Sequence, residues 1–180
     1  MKDKHSIYRF IAYSLELLTL FVLQQSPQAL PIISNCKPNL VLAALVIIIL
    51  FEGAIISLWF SIFVGLLLDA ALGIIPGTQA ILLCILGYFI GYIAQNYFKK
   101  NILTALIISM LSIIIFYHMQ FLLLYILKGY SEILYAYLNK CIPTIIYTWS
   151  TVIILYLPTK FFALCIKEKQ DFVNLENLST

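Results

Sequence analysis

The chain has 180 residues, 63% of them hydrophobic and 11% charged, and a formal net charge of +3. A soluble domain carries about a quarter charged residues and just under half apolar ones. This chain therefore has neither the charge to coat a surface nor the interior to hide so much apolar area. The composition is that of an integral membrane protein, and nucleic acid is excluded as a partner because the basic residues lie in short clusters between apolar runs.

In chain order, the apolar runs predict six helical spans. Only Glu16, Lys37, Glu52 and Asp69 are charged between Phe10 and Phe98, and a hydrocarbon core of about 30 Å needs about 20 apolar helical residues. Continuous Leu/Ile runs without polar alternation favour helices over a barrel. The first span covers about residues 7–25, after a basic start (Lys2, Lys4, Arg9) and before Pro27. It reads as a retained anchor, since no small-x-small cleavage site follows and further apolar runs come after it. Spans at about 40–51 and 54–72 are separated by Glu52-Gly53. The remaining spans are expected at about 78–98, 102–127 and 142–166, all in a single transmembrane domain.

Charge bias sets the orientation, because cytoplasmic loops collect Lys and Arg. With six spans and both termini cytoplasmic, eight basic residues lie inside (Lys2, Lys4, Arg9, Lys99, Lys100, Lys160, Lys167, Lys169) and three outside (Lys37, Lys128, Lys140). Treating 40–72 as one helix reverses that bias, so two helices are expected. The second span is then short, only ~18 Å at 1.5 Å per residue. The segment at about 130–140 places Tyr130, Ile133, Leu134, Tyr137 and Leu138 on one helical face, which suits an interfacial helix on the outer surface.

Charged groups inside spans cost about 2.5–3.5 kcal/mol each at the helix centre, so each needs a reason. Glu16, in the middle of the first span, is expected either to hydrogen-bond a neighbouring helix or to serve a partner or ligand. Glu52 reads as a solvated hinge residue at the inner turn. His118 and Gln120 read as packed and hydrogen-bonded, because His118 has no second ligand one turn away to complete a metal set. No cofactor, metal or catalytic group is expected; the membrane carboxylates are single and widely spaced, unlike a pair suited to acid/base chemistry.

The third span carries a clearer pattern. Gly53, Ser57, Ser61, Gly65 and Asp69 recur every four residues, and the fourth span offers Ala80, Cys84, Gly87 and Gly91. Helices in lipid associate by close backbone approach along such small-residue ridges. A tightly packed hairpin is predicted, with Asp69 either accepting hydrogen bonds from the free N–H groups at the start of the fourth helix or contacting a partner directly. The four cysteines (Cys36, Cys84, Cys141, Cys165) show no CxxC spacing, against a zinc site or a dithiol redox pair. Cys36 and Cys141 fall near the outer face, where oxidation is possible and the sequence leaves open whether they are bridged; Cys84 and Cys165 read as buried small residues.

The segment Gly65-Leu66-Leu67-Leu68-Asp69, followed by Gly73, Gly77 and Leu86-Gly87-Tyr88, resembles the signature of the rod shape-determining protein MreD family. Leu23-Gln24 with a proline soon after resembles the end of that family's first span. Lys37-Pro38-Asn39-Leu40-Val41-Leu42 resembles the entry to its second. The resemblance runs from Glu16 to about Lys169, with departures at Ser61-Ile62 and at Pro76. It implies a multi-pass protein of the bacterial cytoplasmic (inner) membrane, a non-catalytic scaffold of the cell-elongation machinery. The implied partners are an MreC-like bitopic protein and, through it, MreB, the RodA glycosyltransferase and a penicillin-binding transpeptidase of peptidoglycan synthesis. The family also resembles in fold the substrate-binding subunits of vitamin transporters. The alternative is therefore such a subunit, with Glu16, His118, Gln120, Tyr147 and Trp149 lining a ligand pocket.

Overall fold

The structure, a computed structural model, describes residues 2–26, 36–72, 76–97, 102–128 and 137–178, with side chains described over 8–26, 36–71, 76–96, 102–123, 137–138 and 140–161. It is all-helical: α1 (Lys2–Gln25), α2 (Leu40–Glu52), α3 (Ala54–Leu72), α4 (Thr78–Tyr97), α5 (Ile102–Lys128) and α6 (Ile142–Leu178). Helices α3 to α6 each contain a stretch long and apolar enough to cross a membrane. Six helices lie where six spans are expected, and among the described residues four of them are able to cross by length and apolarity alone. Of the stretch at 130–140 expected as an interfacial helix, residues 130–136 lie outside the described residues. Tyr137–Cys141 forms a π-helical turn that runs directly into α6.

The outside of the bundle is as apolar as the inside. Ile55, Trp59, Leu66, Ile81, Leu103, Ile154 and Leu157 are all more than half exposed. That surface is stable only against hydrocarbon, so packing inside the bundle draws on close van der Waals contact and hydrogen bonds more than on escape from water.

The centre is α2. Its sequence LVLAALVIIILFE has no polar face, and every residue from Leu40 to Leu50 is buried. A helix apolar all round belongs in a core, and α2 packs against α1, α3, α4, α5 and α6. Enclosure also removes the difficulty of its 13 residues, because a helix that never faces lipid need not match the thickness of the bilayer.

Such a helix must satisfy its end groups inside the protein. At its start, Asn39 caps it, with Oδ1 accepting from the Leu42 N–H at 3.0 Å. Gln24 of α1 accepts from the Val41 N–H at 3.3 Å, and Thr148 of α6 accepts from the Asn39 N–H at 3.1 Å. At its far end Gly53, with φ 92 and ψ 174, breaks the helix before α3 begins. A Cβ there would be strained and would lie 2.9 Å from the Gln95 side chain of α4.

Helices α3 and α4 form an antiparallel pair in which the small residues meet. A Cβ on Gly65 would overlap the Ala80 Cα and lie 2.7 Å from its backbone nitrogen. One on Gly87 would overlap Ser61 Oγ and lie 2.8 Å from Ser61 Cβ; one on Gly91 would lie 3.0 Å from Ala54 Cα and from Ser57 Oγ. Gly65 therefore faces immovable backbone, Gly87 faces a side chain that can turn only in part, and Gly91 faces contacts that need a few tenths of an ångström. Ser61 Oγ is buried without a hydrogen-bond partner among the described residues, so that position uses serine for its size.

The packing predicts an ordered series for thermal unfolding in detergent. Gly65→Ala should destabilise most, by about 1–3 kcal/mol as in overpacked cores, followed by Gly87→Ala, with Gly91→Ala least. Ser61→Ala should be neutral or stabilising, and Leu66→Ile, on a side chain 54% exposed, should change little. Equal effects across the series would mean that the glycines do not set the approach of α3 and α4.

Candidate functional site: the buried polar contacts

Among the described residues three carboxylates lie within the bundle, and the structure gives each a different environment. Asp69, near the end of α3, is 8% exposed and wraps the start of α4. Its Oδ2 accepts from the Gly77 N–H at 2.9 Å and the Ala80 N–H at 3.2 Å, and its Oδ1 from the Gln79 N–H at 3.0 Å. The carboxylate thus meets orphan donors at the positive end of the α4 dipole. The Pro76-Gly77 pair brings those donors round, since Gly77 has φ 92 and proline favours the preceding turn position. The proline that departs from the family pattern is compatible with this turn.

Glu52 corrects the sequence reading of a solvated hinge residue. Its side chain is only 6% exposed and pairs with Arg9 of α1 at 3.3 Å. Tyr13, one turn further along α1, donates to the same Oε1 at 3.0 Å. The position is the last residue of α2, yet α1 lies over it and excludes solvent. Phe10 and Tyr13 also contact Phe60 of α3, with ring centroids 4.7 Å and 5.8 Å away. The one sequence signal for this contact was the Arg9–Tyr13 spacing, which places a guanidinium and a phenol on one face of α1.

Glu16 lies on the α1 face turned to α6. Thr159 donates to its Oε1 at 2.6 Å, and Thr159 Oγ1 also lies 2.9 Å from the Leu155 carbonyl. A hydroxyl has one hydrogen, so Thr159 cannot donate fully to both acceptors at once. Glu16 Oε2 and the hydroxyl of Tyr156, one turn before Thr159, are buried without partners among the described residues. Lys160 sits over the Tyr156 ring, 5.5 Å from its centroid.

Of the five residues of the transporter alternative, Glu16, His118 and Trp149 make separate contacts. Trp149 donates from Nε1 to the Leu106 carbonyl at 3.1 Å. His118 is exposed; its Nδ1 lies 3.0 Å from the Ile114 carbonyl and its Nε2 2.6 Å from the Tyr137 hydroxyl. Nδ1, facing a carbonyl, is the donor there, and Nε2 shares a hydrogen bond with the phenol. Gln120 and Tyr147 are half-buried. Sequence reasoning missed the cluster at the start of α2, where Tyr117 lies 3.5 Å from the Thr148 hydroxyl that holds Asn39. Among the described residues, no three His, Cys, Asp or Glu side chains come together as a metal site requires.

Removing one partner of a buried ion pair leaves the other charge uncompensated, at a cost of about 3–5 kcal/mol. Arg9 keeps 23% exposure while Glu52 keeps 6%, so the two deletions should differ. Arg9→Ala strands a buried carboxylate and should destabilise the detergent-solubilised protein more than Glu52→Gln, which leaves an acceptor for Tyr13. Adding Glu52→Gln to Arg9→Ala should restore part of the loss. Equal single effects with no coupling would contradict the pairing.

Compared with known families, the chain matches the model of the rod shape-determining protein MreD over residues 4–167. Neither a curated protein nor a solved structure matches it. The match spans all six helices up to the first residues beyond the apolar part of α6. The chain belongs to the MreD family of rod shape-determining membrane proteins.

Proposed function

We propose that this protein is a non-catalytic scaffold of the bacterial cell-elongation machinery in the cytoplasmic membrane, acting through partners held by its membrane helices. The observation that carries this reading is the family match over residues 4–167. Both termini lie in the cytoplasm, as the eight-to-three distribution of Lys and Arg supports. The Asn39, Gly77 and Lys140 end of the bundle then faces outward. The partner is an MreC-like single-span protein, which links the scaffold to MreB, RodA and a penicillin-binding transpeptidase.

Within this reading the buried residues have structural work to do. Gly53, Ser57, Ser61, Gly65, Gly87 and Gly91 set the packing of α3 on α4, and Asp69 closes the turn between them. Glu16 is the open case, because its Oε2 is buried without a partner among the described residues. The lipid-facing surface is apolar, so a partner helix docks mainly by shape.

Deleting the protein should turn rod-shaped cells round, and pulling it from solubilised membranes should recover the MreC-like protein. Glu16→Gln keeps an acceptor for Thr159 and should retain the partner; Glu16→Leu leaves Thr159 only the Leu155 carbonyl and should weaken recovery. Loss of both rod shape and partner recovery is the expected joint result of deletion. Tight binding of a small vitamin by the protein alone, with normal cell shape on deletion, would sink the scaffold reading. Orientation is measured separately: Lys140→Cys, in a background lacking the native cysteines, should react with an impermeant maleimide added outside the cytoplasmic membrane.

A further inference from the structure

Cys36 and Cys141 are far apart in sequence and adjacent in the fold. Both are thiols, as is Cys84. Cys36 Sγ donates to the Lys140 carbonyl at 3.7 Å, and that carbonyl belongs to the peptide joined to Cys141. With standard peptide geometry the oxygen lies about 2.8 Å from the Cys141 Cα, which puts the Cys36 sulfur within about 6.5 Å of that Cα.

The surrounding contacts hold both strands of chain in place. Asn39, three residues after Cys36, is tied through its N–H to Thr148 at 3.1 Å. On the other side, the π-helical turn Tyr137–Cys141 presents the Lys140 carbonyl to Cys36 while Thr144 donates to the same oxygen at 2.6 Å. π-turns in helices are uncommon and occur often at functional positions. Cys36 is 6% exposed, and Cys141 is half-buried. The Cys141 thiol is held above its ordinary range, first by burial and then by the neighbouring Cys36 sulfur.

We propose that Cys36 and Cys141 form an intramolecular disulfide that staples the segment before α2 to the start of α6. The oxidant is a disulfide-bearing protein of the extracytoplasmic compartment. Cys141, the more exposed of the two sulfurs, gives up its proton and attacks the oxidant's disulfide, forming a mixed disulfide and releasing one oxidant thiol, a step its raised pKa slows. The Cys36 sulfur then attacks Cys141 and displaces the second oxidant thiol. Two cysteine thiols are oxidised, one oxidant disulfide is reduced to a dithiol, and the protons pass to the leaving thiolates. The cross-link fixes the polar cluster that caps α2, and it closes a long loop of chain, where cross-linking restricts the unfolded state most. The inference rests on the outward placement of this end under the proposed function.

The test counts thiols in the full-length protein from intact cells. Cells are quenched in acid, the protein is denatured, and thiols are modified with a polyethylene-glycol maleimide before or after reduction. Of the four cysteines, two should react without reduction and all four after it. Cys36→Ser should expose three thiols without reduction, as should Cys141→Ser, which separates this pair from any link between Cys84 and Cys165. Four reactive thiols in the unreduced wild type would overturn the inference, as would a band of doubled mass that reduction removes. The Lys140→Cys labelling measures placement independently, so four reactive thiols with Lys140→Cys outside would reject the disulfide and leave the orientation standing.

Discussion

Everything in this fold depends on how a helix with no polar face satisfies its two ends. Helix α2 is buried from Leu40 to Leu50, and its end groups cannot be left bare in a low-dielectric interior. Helix α1 reaches both ends: Gln24 accepts from the Val41 N–H at the start, and Arg9 and Tyr13 hold the Glu52 side chain at the far end, where the Gly53 N–H and Ser57 hydroxyl donate to the Ile49 carbonyl. It must therefore lie antiparallel to α2 along nearly its full length. Thr148 of α6 completes the start of α2 through Asn39. A short helix thus becomes the axis around which the longer ones are arranged.

Two kinds of adhesion hold the bundle together. The α3–α4 pair depends on closeness, because Gly65, Gly87 and Gly91 let backbones meet where a single methyl group does not fit at ease. The contacts of α1 with α2 and α6 depend on polar groups: Arg9 and Tyr13 on Glu52, and Glu16 with Thr159. The first kind is rigid and specific in shape. The second is tolerant of small displacements but costly to leave unpaired. The glycine-packed pair keeps its form while the polar end groups fix the order of the helices around α2.

The helices themselves were legible in the sequence, because Pro27, Gly53, Pro76-Gly77 and the Lys99-Lys100-Asn101 break interrupt otherwise continuous apolar runs. The small-residue ridge was legible too, since a four-residue repeat of Gly and Ser has few other causes in an apolar helix. The surroundings of Glu52 were not. Its partners lie 43 and 39 residues away on α1, and nothing local distinguishes a carboxylate at a wet turn from one covered by a neighbouring helix. The enclosure of α2 was equally hidden, because in a membrane both the lipid and the protein interior are apolar. Hydrophobic pattern then cannot separate a lipid-facing helix from a central one. In water the same all-apolar segment would have announced its burial.

The most direct measurement of this architecture is labelling from within the lipid. A small apolar carbene reagent, activated by light in membranes carrying the native protein, modifies side chains that face hydrocarbon, and mass spectrometry reads the modified peptides. Ile55 and Leu66 on α3, Ile81 on α4, Leu103 on α5 and Leu157 on α6 are exposed on the outside of the bundle and should be labelled. The Leu40–Leu50 stretch of α2 should remain unmodified. Labelling of α2 at a level comparable to α3 or α6 would contradict an enclosed central helix.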